Sequence, residues 1–127
     1  MALTTTVEGR TINYSHTVGR NSASGNGFNF PISLALTRDC VAYVVSRANE
    51  NNNSPHTTKV SIPDAGGEEI LAEFGWKGQG DGQTTWPAGV AIDSAENVYV
   101  SDDWLNRISV FDTQGNFKYK FGTVGSG

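Results

Sequence analysis

The chain carries one cysteine, Cys40, and two histidines, His16 and His56, among 127 residues. A lone thiol closes no disulfide within the chain and builds no thiolate zinc cluster from these residues. Neither histidine stands at a metal-ligand spacing from a second ligand, so no metal ligand and no cofactor is assigned. Basic residues are also scarce: 9 Lys and Arg face 13 Asp and Glu, a formal charge of −4 that disfavours a surface built for nucleic-acid phosphates. The longest apolar run, residues 40–45, is far short of the roughly 20 residues a membrane-spanning helix needs. Nothing after Met1 has the basic segment and apolar core of a signal peptide. The expected setting is therefore cytoplasmic, with no membrane contact.

What the chain does have is self-similarity. Residues 86–122 read WPAGVAIDSAENVYVSDDWLNRISVFDTQGNFKYKFG. Residues 30–75 begin FPISLALTRDCVAYVVSR and end KVSIPDAGGEEILAEFG. Both run in one order: an aromatic before Pro, an apolar strand, a turn, a second apolar strand, a polar loop, a strand ending in Asp, a Gly turn, and a strand ending in Phe-Gly. The first copy is longer because residues 48–58, ANENNNSPHTT, replace a short loop of the second. A third, partial copy precedes both, since residues 11–19 followed by Gly25, Gly27 and Phe30-Pro31 parallel residues 70–75 followed by Gly78, Gly80, Gly82 and Trp86-Pro87.

Period-two apolar patterning gives each full copy four strand candidates. They fall at 32–37, 41–46, 59–64 and 70–74, then at 89–93, 97–102, 107–112 and 117–121. Gly115 and Gly66-Gly67 supply the backbone freedom that tight turns demand. Four-stranded meanders recurring about every 40 to 50 residues are the signature of propeller blades. The expected fold is all-β: an incomplete β-propeller of two four-stranded antiparallel blades plus an N-terminal outer strand or hairpin of another. The expected units are 1–26 for the partial blade and link, 27–82 for the first blade with its insertion at 48–58, and 83–127 for the second blade and the start of the next link.

The second copy resembles the NHL repeat family through Pro87, Gly89, Ala91-Ile92-Asp93, Val98-Tyr99-Val100-Ser101-Asp102, Asn106-Arg107, Val110-Phe111-Asp112, Gly115, Phe117 and Phe121-Gly122. The first copy departs twice, with Ser46-Arg47 where the family has Asp and Pro63 where the second copy has Phe111. The resemblance implies a six-bladed disc, with the open faces covered by the remaining blades of the same propeller or by self-association. It also implies a binding or scaffold module with a protein as the expected partner, RNA and small molecules remaining open. Two other readings follow from it: part of a metal-dependent propeller lyase or lactonase whose catalytic residues lie mostly outside these residues, and the substrate-recognition part of a ubiquitin-ligase-like protein.

Alternating strand direction puts the loops after each second strand on the same face as the links between blades. That face collects Arg47, His56, Trp76, Trp104 and Arg107, the expected binding residues, because Trp and Arg anchor interfaces and loops on rigid scaffolds carry function. Asp102, Asn106 and Arg107 read as a loop frame in which Asp102 caps backbone or Asn106 groups and pairs with Arg107. Trp86 and Phe30 read as packing residues between blades. Gly78, Gly80 and Gly82 lack the Lys-Ser/Thr of a phosphate loop and read as a flexible link. Asp93 reads as a turn residue, and no nucleophile has a general base in a recognised motif, so no catalytic residue is assigned.

Overall fold

The computed structural model describes residues 4–19, 27–47, 59–63 and 69–125. The described residues contain strands and turns but no helix, so none is long and apolar enough to cross a membrane. A hairpin comes first, β1 (Thr4–Val7) and β2 (Arg10–Asn13), followed by β3 (Pro31–Leu36), β4 (Ala42–Ser46), β5 (Lys59–Pro63) and β6 (Ile70–Phe74). The second set is β7 (Pro87–Ile92), β8 (Val98–Asp102), β9 (Arg107–Phe111) and β10 (Phe117–Phe121). Both four-stranded sheets are antiparallel meanders in chain order, β3-β4-β5-β6 and β7-β8-β9-β10. Strand ends differ from the sequence expectation by a residue or two, and the N-terminal copy forms a hairpin ending at Asn13, with residues 14–19 outside any strand.

The two blades repeat one register. Pro31 pairs with Ser46 and Ala35 with Tyr43, as Pro87 pairs with Asp102 and Ala91 with Tyr99. The bulge also recurs, between Pro31 and Ser33 and between Pro87 and Gly89. Three hairpin turns are built alike: Thr37, Asp93 and Asp112 each accept at the carbonyl from the N–H of Cys40, Glu96 and Gly115 at 3.0, 3.0 and 3.1 Å. That third-residue position is left-handed in every case, with φ of 62°, 62° and 86°. Only Gly115 meets it without a Cβ penalty.

Alternation decides which faces meet. In β8, Val98, Val100 and Asp102 are buried while Tyr99 and Ser101 are half-buried. One face of the first blade, carrying Tyr43, Val45, Val60, Ile62 and Phe74, packs on Val98, Val100 and Phe111 of the second. The rings of Phe74 and Phe111 lie 4.8 Å apart, and Phe74 also meets Tyr43 edge-on at 6.4 Å. Burying each such apolar side chain contributes about 1.5–3 kcal/mol. Polar contacts fix the alignment: Tyr43 Oη donates to Thr113 O at 2.7 Å, and Val90 N donates to Ser33 Oγ at 3.3 Å. Burial, with Glu96 and Asp112 nearby, pushes the Tyr43 phenol up, so it stays a donor at neutral pH. The β1-β2 hairpin makes no comparable strand contact with either blade.

Candidate functional site

The loop after β8, residues 103–106, is short because its backbone is organised by one carboxylate. Asp102 is only 4% exposed. Its Oδ1 accepts from Trp104 N at 3.1 Å and Leu105 N at 2.9 Å. Its Oδ2 accepts from Thr85 N at 2.6 Å, and Trp86 N reaches both oxygens at 3.2 Å. One side chain thus satisfies backbone donors of its own loop and of the segment entering β7. Asp103 N completes the join by donating to Trp86 O at 3.0 Å.

Arg107 grips the same entering segment further back. Its guanidinium donates to Gln79 O at 3.2 Å, Gly80 O at 2.6 Å and Gln83 O at 3.1 Å. The expected Asp102–Arg107 pair does not form, nor does Asn106 donate to Asp102; Asn106 Nδ2 bonds Trp104 O at 3.1 Å instead. The physical reason is that both Asp102 oxygens are taken by backbone N–H groups, while three carbonyls of the turn at 79–83 present an acceptor set to Arg107.

The glycine-rich link is likewise a folded turn rather than a flexible one. Lys77 bridges Thr84, Gly78 N donates to Thr84 O at 2.9 Å, and Gln83 N donates to Gly80 O at 3.2 Å. Gln83 Oε1 accepts from Gly80 N at 2.9 Å, filling the space that a Cβ at Gly78 would need. Thr84, 2% exposed, donates to Gly75 O at 2.6 Å, and Thr85 Oγ1 donates to Gly78 O at 2.8 Å. Gln83, Thr84 and Thr85 escape a reading of the sequence because polar residues among glycines look like linker. Their one signal is that they directly precede Trp86-Pro87.

The aromatic and basic residues take distinct places. Trp104 stands at the loop tip, 69% exposed. Arg47 of the first blade lies over the Trp86 ring at 4.7 Å, and its Nε donates to Pro87 O at 3.0 Å. Trp86 is therefore a junction residue, whereas Phe30, its counterpart, is 57% exposed and packs between no blades here. Trp76 is half-buried in the link and accepts from Thr84 N through its carbonyl. His56 and the 48–58 insertion lie outside the described residues. Asp81, opposite Arg107 on the turn, pairs with Lys120 at 2.6 Å, and that contact holds its carboxyl below the usual range.

The opposite face carries two matching turns. Asp93 accepts from Ala95 N, Asn97 N and Asn97 Nδ2, each at 2.9 Å, and Asp112 accepts from Gln114 N, Asn116 N and Asn116 Nδ2 in the same way. The Asn97 hydrogen bonds lower Asp93 to about 2, and those of Asn116 lower Asp112. Tyr99 donates to Asp93 at 2.9 Å and is raised to about 12 by that bond. These carboxylates are turn organisers. Among the described residues, no three His, Cys, Asp or Glu side chains are grouped to hold a metal ion.

No protein-family profile matches the chain. Among curated proteins it is similar to "Protein brain tumor" of Drosophila melanogaster, 42% identical over 53 residues, which is 42% of this chain and 5% of that protein. It is similar to "Protein lin-41" of Caenorhabditis elegans, 45% identical over 55 residues, 39% of this chain and 5% of the relative. "RING finger protein nhl-1" of the same organism is 41% identical over 56 residues, 44% of this chain and 6% of the relative. The chain thus spans about a twentieth of the length of these relatives, all NHL-repeat proteins. This repeat-length similarity, joined to two blades in one register, is consistent with a fragment of a β-propeller like those of its NHL-repeat relatives.

Proposed function

We propose that this chain is a binding module that presents the loop face of its second repeat to a protein partner. The observation that supports it best is Trp104: a large aromatic side chain, mostly exposed, on a loop whose backbone is held by a buried carboxylate. An aromatic anchor on a pre-ordered loop adds contact area without an ordering cost on binding, which is how a few Trp and Arg residues come to dominate interfaces. Arg47 and Trp86 supply a second amphipathic patch on the repeat junction. The units proposed to carry this face are 27–82 and 83–127, with Trp76 joining it and His56, which lies outside the described residues, proposed for it from the sequence alone. A cytoplasmic setting suits the single exposed thiol, Cys40.

Two of the relatives have names that include zinc-binding elements, a RING finger and a B-box type zinc finger. With Cys40 the only cysteine, the 127 residues hold no cysteine set for either, so the module reading concerns recognition rather than zinc chemistry. Selection of a displayed peptide library on the immobilised chain tests it. Enriched peptides are expected to lose at least tenfold in affinity for Trp104→Ala while binding Leu36→Ala, on another surface, unchanged. Peptides indifferent to Trp104, or an RNA oligonucleotide that binds while no peptide is enriched, would refute the reading.

A further inference from the structure

Two arginines brace the junction between the blades, and they use their donors differently. Arg107 spends its Nη groups on the carbonyls of Gln79, Gly80 and Gln83. Arg47 donates only from Nε, to Pro87 O at 3.0 Å, while its guanidinium carbon stands 4.7 Å from the centre of the Trp86 ring. Among the described residues, no group accepts from Arg47 Nη1 or Nη2 and no carboxylate pairs with them. Neither nitrogen is shut away from solvent, because the one buried side-chain donor or acceptor without a partner among the described residues is Arg107 Nε. The Nη1–Nη2 edge of Arg47 is therefore an open donor pair.

The setting of that edge is fixed. Trp86, its platform, is held at both ends of its backbone: the N–H reaches both Asp102 oxygens at 3.2 Å, and the carbonyl accepts from Asp103 N at 3.0 Å. The backbone of Arg47 is tied as well, its N–H donating to Phe30 O at 3.0 Å. A guanidinium pinned at Nε and stacked on an aromatic ring has already lost the rotamer freedom that binding would otherwise cost. Its remaining edge presents two parallel N–H groups, the arrangement that matches the two oxygens of a carboxylate. The first blade supplies the arginine and the second supplies the platform.

We propose that Arg47 is the anion subsite of the binding module, taking an Asp or Glu side chain of the protein partner as a two-pronged ion pair beside Trp86. The proposal rests on the module reading above and names the chemistry that the junction selects. A nucleic-acid backbone fits this face worse, because it needs a row of cations. The other described cations here are committed: Arg107 to backbone carbonyls, Lys120 to Asp81, and Lys77 is engaged as well. One open guanidinium suits one carboxylate.

Peptides selected from a displayed library on the immobilised chain are the probe. Those that bind are expected to share an acidic residue, and replacing it with its amide is expected to weaken binding about tenfold or more. On Arg47→Gln the acidic peptide and its amide analogue are expected to bind alike, since the group that told them apart is gone. Arg47→Lys keeps the charge but neither the fork nor the stack, and is expected to recover little of the difference. Each comparison sets two peptides against one protein, so a general loss of stability cancels. If Arg47→Gln does not fold, Arg47→Lys and the amide replacement on the unaltered chain decide. Peptides that need Trp104 yet share no acidic residue overturn the anion subsite and leave the module standing. So does an amide replacement that costs as much on either Arg47 variant as on the unaltered chain. A selection that enriches nothing overturns both.

Discussion

Truncating Asp102 to Ala removes the acceptor for four backbone N–H groups, those of Thr85, Trp86, Trp104 and Leu105, at 2.6 to 3.2 Å. A hydrogen bond to a charged acceptor contributes about 1.5–3 kcal/mol, and an unsatisfied buried donor costs about 1–3 kcal/mol. The donors at the loop tip, Trp104 N and Leu105 N, regain water once the carboxylate is gone, because Trp104 is exposed and Leu105 only half-buried. Thr85 and Trp86 are half-buried beneath the loop and regain it poorly. Two poorly recovered bonds set the expected loss at about 3–4 kcal/mol, a large share of the roughly 5–15 kcal/mol that holds a domain of this kind. Urea unfolding at one fixed protein concentration measures it, as a lowered midpoint with an unchanged slope. Asp102→Asn keeps one acceptor oxygen and the shape, so about half the loss is expected. If Asp102→Ala costs less than about 1 kcal/mol, the carboxylate does not hold the loop and the case for a pre-ordered Trp104 fails with it.

Two further outcomes follow from the turns. Asp93 and Asp112 are held below their ordinary range by the Asn97 and Asn116 hydrogen bonds, so their contribution to stability is complete above the unfolded carboxylate value near pH 4 and is lost as pH falls below it, for Asp93 toward about 2. Unfolding midpoints measured across that window should drop, and Asp93→Asn should flatten the drop; a flat wild-type profile would contradict the assignment. Gly115 has φ +86°, and a Cβ there would meet Phe74 Cδ1 at 2.6 Å, so Gly115→Ala should cost about 2–3 kcal/mol in the same urea assay. Phe74→Leu added to that variant should recover part of the cost, and a Gly115→Ala chain as stable as wild type would show that the blades are spaced differently.

The fold was legible because blade strands alternate strictly and because the repeat supplies a second reading of every position. Val98, Val100 and Asp102 alternate with Tyr99 and Ser101, and the first blade shows the same rhythm at Tyr43 and Val45. The loop frame was legible by residue type but not by partner. Sequence proximity suggested that Asp102 pairs with Arg107, whereas each reaches residues that are distant along the chain and near only once the blade is folded. The glycine-rich link was misread for a related reason. Its order comes from Gln83, Thr84 and Thr85 filling the room left by absent side chains, and composition reports the room but not the filling.

Asp102 and Arg107 reach the same stretch of chain from the two ends of one short loop. Loop and stretch are thereby tied into a single cooperative unit that opens together or stays shut, and slow amide exchange in one implies slow exchange in the other. Natural variation at the loop tip can then alter what is recognised without loosening the scaffold, because residues 103–106 change chemistry while their two fastenings stay in place.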